Sequence, residues 1–362
     1  MSTATVSVII PAYNAEAFIE RTLNSVLSQT YKNIEVLVVD DGSQDKTVEI
    51  VQAIAQKDNR VKLLQQANSG VAAARNLGIK HSQGEFIAPI DADDIWYPQN
   101  IEKQVQCLLE GGESVGLVYS WSVDIDEQDL ATGNFRASNI EGKVYKTLVC
   151  HNFLGNASAS LIRRSCFEKL GGYNCQLREE NAQGCEDWEL YLRIAEHYQF
   201  RVVREFLIGY RKILGSMSRD YSKMAKSHSL MLQAVREKHP EISAFLYRLS
   251  SSSFYMYLAQ QSRQYNDHRT TLFWLGKALA ADFITPLLRF GLYTLAIHSL
   301  LGLIGQSFNS LIRPNGNAWG RFQLESQPNR QATSIAALNR RQVSIKFKLL
   351  VGNMLHRSLS LI

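Results

Sequence analysis

Between residues 6 and 90 the chain alternates short β-branched runs with helical patterns, and this alternation restricts its fold more than any other feature. Strand candidates stand at 6–10, 34–40, 61–64 and 85–90, with helical patterns at 16–28, 45–56 and 71–81. Asn14, Ser43 and Ser69 precede those helices as turn or cap residues. Strands separated by single helices and short loops predict an α/β fold. Its sheet is mainly parallel and Rossmann-like, with helices on both faces and ligands bound beyond the carboxyl ends of the strands. The chemically notable residues fall at those ends: Pro11 to Asn14, then Asp40 and Asp41, then Asp91, Asp93 and Asp94.

From 116 to 210 the pattern is less regular, with strand-like "VGLVYSWSVDI", a polar loop near Asn134, a strand in "ASLIRR" and a helix in "EDWELYLRIAEH". Past Tyr221 the chain reads as helical, with amphipathic stretches at 222–238 and 244–264. The organisation expected is a domain over 1–220, whose halves 1–115 and 116–220 serve two substrates, followed by a helical region over 221–362.

No GxGxxG follows the first strand and no GxxxxGK[ST] occurs, so a nicotinamide-dependent dehydrogenase fits poorly. A bound nucleotide needs its phosphates neutralised by other means. A hard divalent cation, Mn²⁺ or Mg²⁺, joins one or two carboxylates to phosphate oxygens, and Asp91-Ala92-Asp93 at a strand end suits that task. The same cluster also reads as helix capping, with Asp94 serving a helix that begins near Pro98.

Seven segments in chain order resemble the family-2 glycosyltransferases of the GT-A fold: "VSVIIPAYNAEAFIERTLNSVLSQTY", "IEVLVVDDGSQDKT", "NSGVAAARNLGI", "GEFIAPIDADDIW", "FEKLGGYN", "CEDWELYLR" and "GSMS". The resemblance implies an inverting, hexosyltransferase-type enzyme that uses a nucleoside diphosphate sugar, with a UDP-sugar favoured. Pro11, Tyr13 and Asp41 would line the nucleobase and ribose pocket, with Arg75 near the nucleotide. Asp93 would ligate the metal, with Asp91 beside it. Asp187 would be the catalytic base and Glu186 would orient the acceptor. Trp188 offers a sugar-stacking surface, or equally a core residue. Arg211 and "GSMS" resemble a loop that closes over the diphosphate. The absence of QxxRW and of several long spans points to single addition rather than processive synthesis. The implied acceptor is a saccharide or lipid-linked saccharide in glycan or cell-surface polysaccharide synthesis. A polyprenyl-phosphate acceptor and a nucleotide-sugar-binding protein without turnover are the alternatives.

The tail carries the basic excess: from Phe283 onward there are nine Lys/Arg and one acidic residue, against a net charge of +5 for the whole chain. Phe290–Ile312 has no formally charged residue but holds three glycines and His298, which weakens a membrane-spanning reading. Peripheral contact through 283–362 with the cytoplasmic face of an anionic membrane is expected, and nucleic acid is not. The opening "MSTATVSVIIPAYN" reads as a first strand rather than a secretory signal, and five cysteines without CxxC read as reduced thiols.

Overall fold

The computed structural model describes residues 4–212, 220–312, 349–350, 352–354 and 356–359. The first part builds the alternation read from the sequence: β1 (Val6–Ala12), α1 (Ile19–Leu27), β2 (Ile34–Asp40), α2 (Thr47–Ala55), β3 (Val61–Gln65), α3 (Val71–His81) and β4 (Phe86–Pro89). β1 lies parallel to β2 and β4, and β2 to β3. The loops after β1 and β2 clasp each other. Asn14, at φ 48°, accepts the Gln44 N–H and gives its own N–H to Ser43 Oγ, while Asp45 accepts from Glu16 N–H and Glu16 from Lys46 N–H. Asp45, not Ser43, accepts the Thr47 N–H at the start of α2.

Beyond β4 come β5 (Ile95–Trp96), α4 (Asn100–Glu110), β6 (Val115–Ile125), β7 (Ala131–Arg136), α5 (Tyr145–Cys150), β8 (Ser160–Arg163), α6 (Arg164–Leu170), α7 (Gln176–Glu179), α8 (Glu186–Ala195) and β9 (Gln199–Arg211). The sheet order is β3-β2-β1-β4-β8-β6-β9-β5, with β7 on β6. It is a mixed sheet rather than a mainly parallel one. β8 runs antiparallel between β4 and β6, and β5 and β7 are antiparallel additions, while β6 and β9 are parallel. The polar loop expected near Asn134 is strand β7. It pairs only with β6, and it lacks apolar alternation because neither of its faces is fully buried.

The period of two along the strands sorts side chains onto two faces. Val6, Val8 and Ile10 of β1 pack with Leu23 of α1, Val51 of α2 and Val105 of α4. Ile9, Leu37 and Ile87 face the other way, towards Ala72 of α3 and Trp188 and Tyr191 of α8. This second core continues without a break into α9 (Tyr221–Lys238), α10 (Ala244–Gln264) and α11 (His268–Ala281) through Met231, Phe254 and Leu275. α12 (Ile284–Leu287) and α13 (Phe290–Ile312) complete the described helices named here. Among the described residues no helix is long and apolar enough to cross a membrane, because its glycines and polar residues dilute the apolar content of α13. The Gln/Asn/Ser-rich stretch 323–334 and most of the last basic stretch lie outside the described residues.

Candidate active site

The carboxyl ends of β1, β2 and β4 open onto a cleft of about 1400 Å³, lined by Pro11, Tyr13, Asp41, Arg75, Asp91, Asp93, Glu186, Asp187, Trp188 and Arg211, but not by Asp40 or Asp94. The Tyr13 ring is exposed in this cleft, on the loop leaving β1. The "GSMS" motif, residues 215–218, lies outside the described residues.

Asp41 is buried and holds the start of α3. One carboxylate oxygen accepts from Gln66 Nε2 and Ser69 N–H, both at 2.7 Å, and the other accepts from Gly70 N–H at 2.8 Å. A carboxylate there satisfies orphan N–H groups and complements the positive end of the helix. Ser69 therefore does not cap α3 with its side chain; its hydroxyl donates to Ala67 O instead. Gly70 sits at φ 89°, a backbone conformation that favours glycine; the Cβ contact it avoids is only with the flexible Arg178 side chain.

Arg75, on α3, is buried with Nη2 2.5 Å from Asp91 Oδ1 and its guanidinium 5.1 Å over the Tyr173 ring. Burial opposes its charge, but Asp91, Tyr173 and Asp187 together hold it firmly protonated. One cation thus connects the acidic turn after β4 with the start of α8.

That turn is built from below by Asp94. Its side chain is fully buried, accepting from Ser158 Oγ at 2.5 Å and from Arg211 N–H at 2.8 Å, while Ser158 Oγ accepts the Asp91 N–H at 3.0 Å. Asp94 does not cap α4; it pins the turn to the sheet. Burial, with Asp93 and Asp91 nearby, pushes its carboxyl well up. Asp93 is half-buried at the cleft. Burial and Asp91 push its carboxyl up to about 6 against its own backbone N–H, Arg211 and Lys212.

Arg211, the last residue of β9, lies under the same turn with its side chain fully buried. It donates to Asp93 O at 2.6 Å and Asp126 O at 2.5 Å, pairs with the Asp129 carboxylate, and stacks 4.7 Å over Phe18. The bond to Asp93 O holds the backbone of that residue at the cleft, which Arg211 also lines.

α8 brings the second acidic pair to the opposite wall. Glu186 is buried and accepts the Gly184 N–H at 2.8 Å, while Asp187 is half-buried and accepts the Trp188 N–H at 2.7 Å. Burial, reinforced by Glu186 and Asp91 and opposed by Arg75 and the Trp188 N–H, pushes the Asp187 carboxyl up to about 6. Trp188 follows the core reading. It donates Nε1–H to Leu148 O at 2.8 Å and packs 5.1 Å from His228, with an edge at the cleft.

Among the described residues no group of three or more His, Cys, Asp or Glu side chains is gathered to hold a metal ion. Asp94 is taken up by Ser158 and Arg211, and one oxygen of Asp91 by Arg75, which leaves Asp93 and the other oxygen of Asp91 facing the cleft. That set fits an ion shared with substrate phosphates, not one caged by protein alone. Ser158, Tyr173 and Asp129 were not read from the sequence. "NASAS" holds no charge to flag Ser158, Tyr173 stands in the quoted "FEKLGGYN" with no role attached, and nothing near Asp129 marks Arg211 as its partner.

Comparison with known proteins agrees with this architecture. Residues 7–171 match the family model "Glycosyl transferase family 2". An uncharacterized glycosyltransferase of Haemophilus influenzae is 43% identical over 111 residues, 30% of this chain and 44% of that protein. The chain spans less than half the length of the first curated relatives it matches. S. aureus TarS 1-349 superposes with a TM-score of 0.55 at 17% identity, covering 84% of this chain and 91% of that one. The mannosyltransferase PcManGT of Pyrobaculum calidifontis, solved with GDP-Man and Mn²⁺, superposes with a TM-score of 0.50 at 19% identity over 85% and 87% of the two chains. The fold is thus that of GT-A glycosyltransferases.

Proposed function

The chain belongs to glycosyltransferase family 2, and from that premise we propose a metal-dependent, inverting hexosyltransferase that moves a sugar from a nucleoside diphosphate, with UDP favoured, to an acceptor hydroxyl in glycan or cell-surface polysaccharide synthesis. The observation that carries it is the placing of two carboxylate sets across one cleft, with Arg75 drawn to both. Pro11, Tyr13 and Asp41 receive the nucleobase and ribose, Asp41 offering the less occupied of its two oxygens.

Asp187 takes the acceptor hydroxyl proton as the oxygen attacks the anomeric carbon. The bond from that carbon to the diphosphate oxygen breaks on the opposite side, and the electron pair leaves with the nucleoside diphosphate. A carboxyl raised to about 6 is matched to a base working near neutral pH. Glu186 fixes the entry to α8, and Arg75 keeps Asp91 oriented. Asp93 and Asp91 are the residues that would hold Mn²⁺ or Mg²⁺, whose chemistry when bound is Lewis-acid neutralisation of the departing diphosphate. The mannosyltransferase relative solved with Mn²⁺ supports the ion's identity as a class. The catalytic part is assigned to 1–220, with 1–115 for the donor and 116–220 for the acceptor. The 221–362 region would make peripheral contact with the cytoplasmic membrane face.

Calorimetric titration of UDP, GDP and dTDP into the wild-type protein and Asp93→Ala, with and without Mn²⁺, tests the reading. Metal-dependent binding of one nucleotide, lost in Asp93→Ala, is the expected outcome. Binding that is indifferent to both metal and Asp93 would exclude the metal assignment. Retained nucleotide binding with undiminished turnover in Asp187→Asn would remove Asp187 as base.

A further inference from the structure

Among the described residues, an exposed apolar surface adjoins the cleft. On α13 Phe290, Tyr293, Ile297, Leu301 and Ile304 are exposed, spaced three or four apart on one face, while Leu292 and Ser299 pack inward. Ile297 and Leu301 keep 58% and 63% of their surface in contact with solvent, the reverse of a surface helix that turns its apolar stripe to the core. Ile284, Leu287 and Leu288 extend the surface onto α12. The same helix lines the cleft with Gly291, Thr294 and Leu295. Among the described residues past 348, Leu349 and Gly352 line the cleft, while Leu350, Met354 and Arg357 are exposed.

Arg289 stands where the two surfaces meet. It lines the cleft, half-buried, with Nη2 2.8 Å from Ser253 Oγ, and the Asp282 carboxylate, beyond ion-pair contact, is its nearby countercharge. From Phe283 onward the chain carries nine Lys/Arg against one acidic residue. Such a charge balance repels a second copy of the same surface and attracts anionic headgroups. α13 does not qualify to span a bilayer, and a helix with an exposed apolar face and basic flanks lies in the interface instead.

We propose that α12 and α13 dock in the headgroup layer of an anionic bilayer, and that the acceptor enters the cleft from that bilayer as a phosphate-linked saccharide lipid whose phosphate meets Arg289. The docking half stands on the surface alone; the acceptor half rests on the glycosyltransferase reading.

Full-length protein is floated with phosphatidylcholine vesicles with and without phosphatidylglycerol. The wild type is expected to float with the anionic vesicles, and Ile297→Asp/Leu301→Asp to lose about tenfold or more of that binding, while its nucleotide titration stays unchanged and shows the fold intact. Leu288→Asp/Phe290→Asp gives the same reading should the first variant fail to fold. Transfer to a saccharide on a long-chain lipid diphosphate is then compared with transfer to the same saccharide freed of lipid. Arg289→Gln should raise KM severalfold for the first acceptor only. No flotation, flotation unchanged in both variants, or a dimer that the double variants dissolve would overturn the docking. An equal KM change for both acceptors would overturn the role of Arg289. Failure of all nucleotide binding in the wild type would instead sink the transferase reading and leave the flotation result standing.

Discussion

Asp187 sits where opposing influences nearly balance. Burial, Glu186 and Asp91 raise its carboxyl, Arg75 and the Trp188 N–H lower it, and the result is about 6. A base of that value predicts kcat/KM that is flat above about pH 7 and falls roughly tenfold per pH unit well below 6, read from a pH–rate profile at saturating metal. Asp187→Asn is expected to lose on the order of 10²–10⁴ in kcat while nucleotide affinity holds. The sign of the stability effect is also fixed. The folded value lies above the ordinary unfolded value of about 3.9, so the protonated carboxyl stabilises the fold below about pH 4, and this contribution is lost as pH rises through about 6. Asparagine imitates the protonated form. Asp187→Asn should therefore unfold at an equal or higher Tm than wild type at pH 7.5, with the difference gone at pH 4; a lower Tm at pH 7.5 would mean that the ionised carboxylate is favoured in the fold.

The turn after β4 behaves as one element held from three directions: Asp94 below, Ser158 from the turn before β8, and Arg211 from the end of β9. Ser158→Ala strips a partner from both Asp94 and the Asp91 N–H. Buried groups left unpaired cost about 1–3 kcal/mol, so denaturant unfolding should show that loss, and metal-dependent nucleotide affinity should weaken although Ser158 is not among the expected ligands. Asp41→Ala removes the side-chain acceptor from the Ser69 and Gly70 N–H groups just before α3 and should cost a comparable amount, about 1–3 kcal/mol. The strands and helices up to β4 were legible because each has one buried face and a regular period. β7 was not, because as a half-exposed addition to β6 it has no buried face to impose alternation. β9 was not read because its Arg204-Glu205 interruption, where its register on β6 shifts, breaks the pattern. Among site residues, those carrying a motif, Asp41, Asp91, Asp93 and Asp187, were named from the sequence. What holds them was not legible: Ser158 was not named and Arg211 was named for another contact, since the two reach Asp94 across 64 and 117 positions of chain.

On the scale of the whole molecule, the motifs of the family and the core of the fold end at different places. The motifs stop before 221, yet the core beneath α8 is shared with the helices that follow: His228 of α9 stacks at 4.2 Å on Phe254 of α10, and both rings lie against Trp188. α10 also packs on α5, whose Leu148 carbonyl receives the Trp188 indole Nε1–H. Cutting after 220 would uncover Trp188 and its neighbours at the point where Asp187 is positioned, and apolar surface so exposed drives unfolding or aggregation. The 1–220 fragment is therefore expected to be insoluble or to lack cooperative unfolding. The full chain should lose near-ultraviolet tryptophan signal and far-ultraviolet helix signal in one coincident transition. Two separated transitions, with a soluble 1–220 fragment that still binds nucleotide, would show instead that the helical region is an independent unit. Were the transitions to coincide, saturating nucleotide and Mn²⁺ should raise the Tm of the whole molecule, because a ligand that binds only the folded state stabilises everything that unfolds with its site.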